Sequence, residues 1–329
     1  MNMNDLWNNS AFDLIQMTNA INLFPRLNDD IADVLPFVET PVYTNDFALD
    51  VTKRHEISLV PVSDLGAPGD IMPDDETAFA KKFTIPTYVR RTSIRNSEVL
   101  GARQPGANVT RVLETERNKK LSRLYAIFQE TKAMQRWSAL FGVVKAVNMK
   151  GELVTLLDTC TELGMKRTKF RLKLSGGETI NEQLIQAKVR EEKLLGFKAR
   201  KYILLMTEDY HKQLRVTEEF RTLQTAQQAV RLAIVDGRER PVVFADNVEV
   251  HYFTSSRVSE ACLLIPVFDD WARTYNGPAT ADEFQGIVLP FYAQKRLLSW
   301  NEGLEIRGMM RTISFTTRPD SIFDVEIVP

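Results

Sequence analysis

Residues 42–90 constrain the fold of this sequence more than any other segment, because they resemble one long hairpin without a core of its own. Apolar and polar residues alternate over 42–51, and the alternation returns over 79–89. Between these arms, residues 63–76 are rich in Gly, Pro and Asp, as expected for turns. A two-stranded ribbon is only marginally stable alone in water and leaves its edges open. We therefore expect the hairpin to lie on a neighbouring molecule, which favours a role in assembly over catalysis.

The bulk properties of the chain are those of an ordinary folded protein. Its 329 residues are 44% hydrophobic and 26% charged, and the length predicts two domains or one large domain with appendages. The net charge of −1 provides no overall basic field for nucleic acid. No apolar run reaches the roughly 20 residues that span a bilayer, and the first ten residues lack the pattern of a signal peptide. We expect Cys160 and Cys262 to be buried thiols in a reducing compartment.

The rest of the chain predicts an α+β fold. Residues 1–41 form a leading arm whose short amphipathic helix carries Phe12, Leu14, Ile15 and Ile21. The longest helix is predicted over about 109–145, where apolar residues recur at spacings of three and four. A coiled coil is the alternative, but the pattern drifts from a strict heptad. We interpret this helix as a spine packed on a sheet.

Shorter elements follow the long helix. The sequence predicts a second hairpin from residues 143–147 and 153–157, and a helix over about 180–195 that Gly196 closes. The other predicted elements are helices near 207–215 and 218–230 and strands at 202–206, 242–244, 248–253, 262–266, 291–293, 304–307 and 313–317.

The sequence contains no recognisable pattern for catalysis or cofactor binding. His55, His211 and His251 lie on different predicted elements, and none has a second ligand at metal-binding spacing. The turn at 66–69 lacks the Lys and the following helix of a phosphate-binding loop. Cys160 has no basic neighbour in the sequence, and adjacent carboxylates in turns are usually solvated. We therefore predict no catalytic, metal or cofactor site and no enzyme.

Two groups of residues are candidates for contact between copies of the chain. The hairpin tip combines acidic and apolar residues: Asp64, Leu65, Asp70, Ile71, Met72, Asp74, Asp75, Glu76 and Phe79. The first half of the long helix carries a basic group: Arg117, Lys119, Lys120 and Arg123. An acidic tip on a neighbour's basic face would set register and association rate more than affinity, since an exposed ion pair contributes about 0–1 kcal/mol. The alternative is that the two groups are unrelated solvent-exposed faces.

Short motifs across nearly the whole chain carry a family resemblance. They are Thr18-Asn19-Ala20-Ile21-Asn22, Leu35-Pro36-Phe37-Val38-Glu39-Thr40-Pro41, Leu59-Val60-Pro61-Val62, Gly66-Ala67-Pro68-Gly69, Phe83-Thr84-Ile85-Pro86, Arg95-Asn96-Ser97-Glu98-Val99, Arg273-Thr274-Tyr275-Asn276-Gly277-Pro278-Ala279, Leu289-Pro290-Phe291-Tyr292-Ala293, Gly303-Leu304-Glu305-Ile306-Arg307 and Thr317-Arg318-Pro319. Each motif is weak alone, but their order and spacing resemble the phage major capsid protein E family, the lambda-type branch of the HK97-like capsid fold.

The resemblance implies a division of the chain and a function. It implies an N-arm over 1–41, an extended loop (E-loop) over 42–90, and a peripheral P-domain over 91–180 that contains the spine helix. An axial A-domain would follow over 181–290, and residues 291–329 would return as strands between the A- and P-domains. The implied function is that of a major capsid (head) protein of a tailed bacteriophage. Its copies would form hexamers and pentamers of an icosahedral shell around double-stranded DNA.

The resemblance also implies partners and a location. The main partner would be the chain itself, with a portal protein, a decoration protein where one is present, and weak, non-specific proximity to the packaged DNA. Because residues 1–41 alone precede the hairpin, we expect scaffolding to come from a separate protein. We expect no membrane partner and no cofactor. The protein would be made in the host cytoplasm and reside in the virion.

Other functions remain open on the sequence alone. An encapsulin-like nanocompartment uses the same fold to enclose cargo enzymes. An enzyme with a dispersed, unrecognised site is an alternative from another class, and a DNA-binding protein is a third that would need a basic surface stripe.

Overall fold

The computed structural model describes residues 12–25, 30–51, 79–101, 109–232, 241–253, 261–279, 286–299 and 302–328. It confirms the α+β class. The helices are α1 (Leu14–Asn22), α2 (Asp30–Val34), α3 (Asn96–Gly101), α4 (Val109–Leu140), α5 (Thr159–Glu162), α6 (Ile180–Leu195), α7 (Glu208–Val216) and α8 (Glu218–Leu232). The strands are β1 (Val38–Pro41), β2 (Asp46–Val51), β3 (Phe79–Thr84), β4 (Thr87–Arg95), β5 (Val143–Val147), β6 (Leu153–Asp158), β7 (Thr168–Lys173), β8 (Lys201–Thr207), β9 (Val242–Phe244), β10 (Val248–Phe253), β11 (Cys262–Val267), β12 (Ala272–Asn276), β13 (Tyr292–Leu297), β14 (Gly303–Thr316) and β15 (Phe323–Val328).

Two sheets organise the chain. A five-stranded sheet has the order β1-β12-β14-β13, with β4 also paired to β14. A six-stranded sheet has the order β7-β15-β11-β8-β10-β9. Its central strands β8 and β11 are continuous runs of buried residues, as expected for strands covered on both faces. Both sheets therefore join segments that are far apart in the sequence, including residues on either side of the boundaries predicted at 180 and 290.

The long helix α4 packs on the five-stranded sheet as a spine. Its 32 residues span about 48 Å at 1.5 Å per residue. Buried side chains of the helix share one apolar cluster with buried side chains of strands β4, β13 and β14. These are Leu113, Leu121, Leu124, Tyr125 and Phe128 on the helix and Ile94, Ala293, Leu304, Ile306 and Met310 on the strands. The prediction of a spine on a sheet is confirmed.

The predicted end of the spine helix was wrong. The helix ends at Leu140, not near 145. Gly142 follows with a φ of 73°, a left-handed conformation that favours glycine, and β5 begins at Val143. The run of β-branched valines in β5 then pairs with β6, so the second predicted hairpin is confirmed.

Helix α6 agrees with its prediction at both ends. The side chain of Thr179 accepts a hydrogen bond from the Glu182 amide, and the Glu182 carboxylate accepts one from the Thr179 amide. This reciprocal capping box satisfies two free donors of the first turn. Gly196 closes the helix at a φ of 70°, as predicted.

Other expectations need correction. The two strands predicted at 304–307 and 313–317 are one continuous strand, β14. Residues 87–90, assigned to the returning arm of the hairpin, belong to β4 and pair with β14. In α1 the side chain of Ile15 is 65% exposed, so it is not part of the buried face with Phe12 and Ile21. Cys262 is buried as expected, whereas Cys160 is only partly buried.

Candidate assembly surface

The described part of the hairpin is a two-stranded sheet of its own. Strands β2 and β3 pair antiparallel from Asp46 opposite Thr84 to Val51 opposite Phe79. The two strands pair with no other strand in the part of the chain that the structure describes. At the base, the Thr84 hydroxyl donates to the Asp46 carboxylate at 2.7 Å. The structure thus confirms that the two arms of the predicted hairpin pair with each other.

A buried arginine fixes the base of the hairpin to the five-stranded sheet. Arg311 of β14 donates from Nη1 to the Asn45 side chain at 2.7 Å and to the Pro278 carbonyl at 2.9 Å. Its Nη2 donates to the Ile85 carbonyl at 3.3 Å. Burial lowers the pKa of Arg311, but arginine remains charged at any physiological pH. One guanidinium therefore holds the start of the outgoing arm and the end of the returning arm.

Aromatic packing supports the same junction. The Phe47 ring of β2 stacks on Phe315 of β14 with centroids 5.5 Å apart, and it meets Tyr275 edge-on at 4.9 Å. Phe83 of β3 lies 5.7 Å from Phe47. Such pairs contribute roughly 0.5–1.5 kcal/mol each beyond the area that they bury. The hairpin is therefore anchored firmly at its base.

A charged network lies beside this junction. The Glu39 carboxylate of β1 accepts hydrogen bonds from Lys132 at 2.5 Å, Arg136 at 3.2 Å and Asn276 at 3.3 Å. Lys132 and Arg136 keep only 4% and 3% of their side chains exposed, against 40% for Glu39. Burial alone would raise the pKa of Glu39, but the positive charges of Lys132 and Arg136 hold it below its ordinary value. The network ties the spine helix to the strand that leads into the hairpin.

Sequence reasoning missed both polar anchors of this junction. Arg311 and Glu39 lie within the motifs and strands already described, but nothing in their spacing identifies their partners. The one available signal was Arg311 itself, a charged residue within the apolar part of β14. A buried arginine needs several hydrogen-bond acceptors, so its position indicates that polar partners lie nearby.

Most residues predicted at the hairpin tip lie outside the described residues. They are Asp64, Leu65, Asp70, Ile71, Met72, Asp74, Asp75 and Glu76. Phe79 is the first residue of β3. The role of this group in contact between copies stays a prediction.

The basic group on the spine helix is largely engaged within the chain. Arg117 bonds to the Asn118 side chain and lies 5.9 Å over the Phe12 ring. Desolvation lowers its pKa, although Glu114 opposes this shift. Lys119 pairs with Glu116 at 3.8 Å, and Lys120 pairs with Glu98 at 3.3 Å.

Arg123 is exposed like Lys119, but it forms no ion pair among the described residues. The structure thus gives most of the group roles within one subunit. Its proposed contact with a second copy stays a prediction.

The hairpin β5–β6 carries exposed apolar side chains. Val147, Met149, Leu153, Val154 and Leu156 each have at least a third of their surface in solvent. These side chains form an exposed apolar patch near the end of the spine helix. Strands β5 and β6 pair only with each other among the described residues.

Metal-binding clusters and membrane-spanning helices are both absent from the described residues. Among the described residues, no three or more His, Cys, Asp or Glu side chains come together as metal ligands. Within the same residues, no helix combines the length and apolar character needed to cross a membrane.

Comparison with known families decides the classification. The family described as phage major capsid protein E matches residues 13–327 of this chain. The chain belongs to this family. The resemblance inferred from the short motifs is thereby confirmed, and so is the function of a capsid protein. Family membership also implies self-association and a place in the virion.

Solved structures with a similar backbone fold include capsid proteins. The capsid protein of cyanophage P-SCSP1u is 9% identical, with a TM-score of 0.47, and the match covers 90% of this chain and 88% of that one. The capsid protein of Ralstonia phage GP4 is 11% identical, with a TM-score of 0.46, and the match covers 88% of this chain and 86% of that one. The SrpI encapsulin of Synechococcus elongatus PCC 7942 is 10% identical, with a TM-score of 0.47, and the match covers 92% of this chain and 88% of that one. No curated protein sequence matches the chain. The classification rests on the family match.

Proposed function

We propose that this capsid protein builds the head of a tailed bacteriophage as hexamers and pentamers, and that residues 42–90 are the E-loop that each copy lays on its neighbour. The observation that carries the proposal is the anchored hairpin. Its strands β2 and β3 pair only with each other among the described residues, yet Arg311 and Phe47 hold their base rigidly. A ribbon with open edges is stable in water when another surface covers it.

The proposed shell assembles by many weak contacts. Because a ring closes on itself, each copy both gives and receives one hairpin, and no single interface needs high affinity. In this scheme residues 1–41 are the N-arm, 91–180 the P-domain and 181–290 the A-domain, with 291–329 returning between the two domains. The role is structural, not catalytic, which agrees with membership of a capsid family.

The proposed partners follow from the same role. The chain would associate with itself, with a separate scaffolding protein during assembly, and with portal and decoration proteins. Packaged double-stranded DNA would lie close to the shell without tight binding, in keeping with a net charge of −1. The protein would be made in the host cytoplasm before it enters the virion.

The proposal is tested by removing the hairpin tip. One variant deletes residues 64–76, and a matched variant replaces them with a Gly/Ser segment of equal length, which keeps the reach but removes the side chains. Both should remain folded by circular dichroism, because the anchored base is intact, and both should form no shells in electron micrographs. Shells of wild-type size from either variant would overturn the E-loop assignment. Shells that contain a cargo enzyme and no DNA would instead indicate a nanocompartment.

A further inference from the structure

The two faces of the five-stranded sheet differ in chemistry. At Gly308 of β14, an added Cβ would lie 2.9 Å from the Phe128 ring, so this side of the strand faces the spine helix. The odd-numbered residues point the other way, because side chains alternate along a strand. Phe315 and Arg311 accordingly contact the hairpin base through Phe47 and Asn45. By the same alternation, Arg307 and Glu305 lie on the hairpin side of the sheet.

The neighbouring strands place three more arginines on this side. Arg307 lies opposite Arg91 of β4, and Glu305 lies opposite Arg296 of β13. Arg95 of β4 is opposite Gly303, two positions further along. We call Arg91, Arg95, Arg296 and Arg307 the basic sheet face. It carries four positive charges around the single negative charge of Glu305.

This face is open to solvent. Arg91, Arg95 and Arg296 are exposed, and Arg307 is partly exposed. The Arg91 side chain is 65% exposed, and its pair with Glu305 is long, at 3.9 Å. Arg307 makes a 3.4 Å hydrogen bond to the neutral Gln294 side chain and forms no ion pair with any described residue. Among the described residues Arg91 is the one arginine of the face with a carboxylate partner, whereas on the spine helix both Lys119 and Lys120 have one.

The hairpin contains a segment with the opposite charge. Residues 63–80 carry five acidic residues and no Lys or Arg: Asp64, Asp70, Asp74, Asp75 and Glu76. The hairpin that bears this segment is anchored on the same side of the sheet as the basic sheet face. A tip that crosses from a neighbouring copy on that side meets the arginines and not the spine helix, which lies on the opposite side.

We propose that the basic sheet face receives the acidic segment 64–76 of a second copy of the chain. The proposal rests on the proposed function, because it names the surface on which the hairpin lies. The contact is head-to-tail, so it generates a ring when the rotation between copies closes. Its charges fix the register of the tip and accelerate association, and added salt weakens both effects.

Charge reversal on the two sides tests the proposal. The face variant R91E/R296E gives the face a net charge of about −1 and keeps an acidic tip. The tip variant D74K/D75K/E76K gives segment 64–76 a net charge of about +1 and keeps a basic face. Each alone places like charges at every contact and should lose assembly by sedimentation and electron microscopy. Mixed in equal amounts, the two variants can alternate around a ring, so that each tip meets an opposite charge. The mixture should recover assemblies of six-membered rings, because five copies cannot alternate.

The matched control is K119E/R123E, which makes the same change of charge on the spine helix. It should assemble like the wild type. The proposal is overturned if R91E/R296E assembles normally, if the mixture stays unassembled, or if the tip variant rescues the helix variant instead. Should the wild type itself remain monomeric, the proposed function fails and this proposal fails with it. Normal wild-type assembly alongside any of the other three results leaves the proposed function intact and removes only the receiving surface.

A second measurement locates the contact directly. In R91K/R296K a carbodiimide can join a tip carboxylate to a face amine, and isotopic labelling of half the protein identifies links between copies. Links between copies from residues 64–76 to positions 91 or 296 support the proposal. Links to Lys119 or Lys120, or links confined to one copy, contradict it.

Discussion

At the scale of single residues, buried charge is handled in two different ways. Lys132 and Arg136 are almost fully buried, but Glu39 compensates them, and the pKa of Glu39 is lowered as a result. Glu191 on α6 has no such compensation: it is fully buried, and neither carboxylate oxygen has a hydrogen-bond partner among the described residues. Burial, with a smaller contribution from Glu192, raises the pKa of Glu191 to about 10. Glu191 is therefore a neutral acid in the folded subunit at neutral pH.

Replacement of Glu191 by Gln should remove a pH dependence of stability. A carboxyl with an ordinary pKa of about 4.3 ionises in the unfolded chain, whereas the folded pKa is about 10. Its contribution to the free energy of unfolding is complete below the unfolded pKa and falls as the pH rises toward the folded pKa. By pH 7 the loss is about 4 kcal/mol.

Urea unfolding of the isolated subunit between pH 5 and 9 checks this prediction. Glu191→Gln should flatten the downward slope of the wild type, because glutamine stays neutral. The matched control, Glu178→Gln, removes an exposed carboxylate just before the start of α6 and should retain the wild-type slope. A variant at 191 whose slope equals that of the wild type would show that Glu191 ionises freely in the folded state.

At the scale of elements, regular patterns were predicted well and tertiary contacts were not. The periodicity of α4 and the Thr179–Gly196 helix are local signals, and both appear in the structure. The helix end was missed because Val144 continues the apolar spacing by chance, while Gly142 at positive φ ends the helix. Strand β14 was split in two because Met309 and Met310 are both buried, which hides the alternation.

The contacts of the candidate assembly surface were also not predictable from the sequence. The sequence identifies the acidic and basic residues but gives no information about which partners lie nearby. Lys120 reaches Glu98 across 22 positions of the chain, so spacing along α4 alone could not show that it is paired. Arg307 and Arg91 become neighbours only through the register of β4 on β14.

Replacement of Arg311 by Met should loosen the base of the hairpin. The variant keeps an apolar stem in the buried site but leaves the Asn45 side chain and the Ile85 and Pro278 carbonyls without this donor. Loss of charged hydrogen bonds of this kind costs about 2–4 kcal/mol of unfolding free energy. The Ile85 amide, which donates to the Asn45 carbonyl at 3.0 Å, should also lose protection from hydrogen exchange.

The control for this prediction is Arg171→Met on β7. That side chain is 75% exposed and pairs with Glu326 on the surface, so its loss should change stability by less than about 0.5 kcal/mol. Wild-type protection of the Ile85 amide in Arg311→Met would mean that the aromatic contacts of Phe47 alone hold the hairpin.

At the scale of the whole molecule, the fold presents surfaces that one subunit does not cover. Within the described ranges, the edges of the hairpin β2–β3 are unpaired, the hairpin β5–β6 exposes apolar side chains, and the basic sheet face exposes arginines on the same side as the hairpin. Each is a modest liability for a monomer and a useful contact in a closed shell. Membership of the phage major capsid protein E family gives these surfaces one common explanation, which is self-assembly.

The most direct test of this account is the size of the particle that the full chain forms. Sedimentation velocity and electron microscopy of the purified wild-type protein, with and without a co-expressed scaffolding protein, measure that size. We predict closed shells, rings or tubes built from five- and six-membered rings. A chain that remains a monomer in all these conditions would contradict the account.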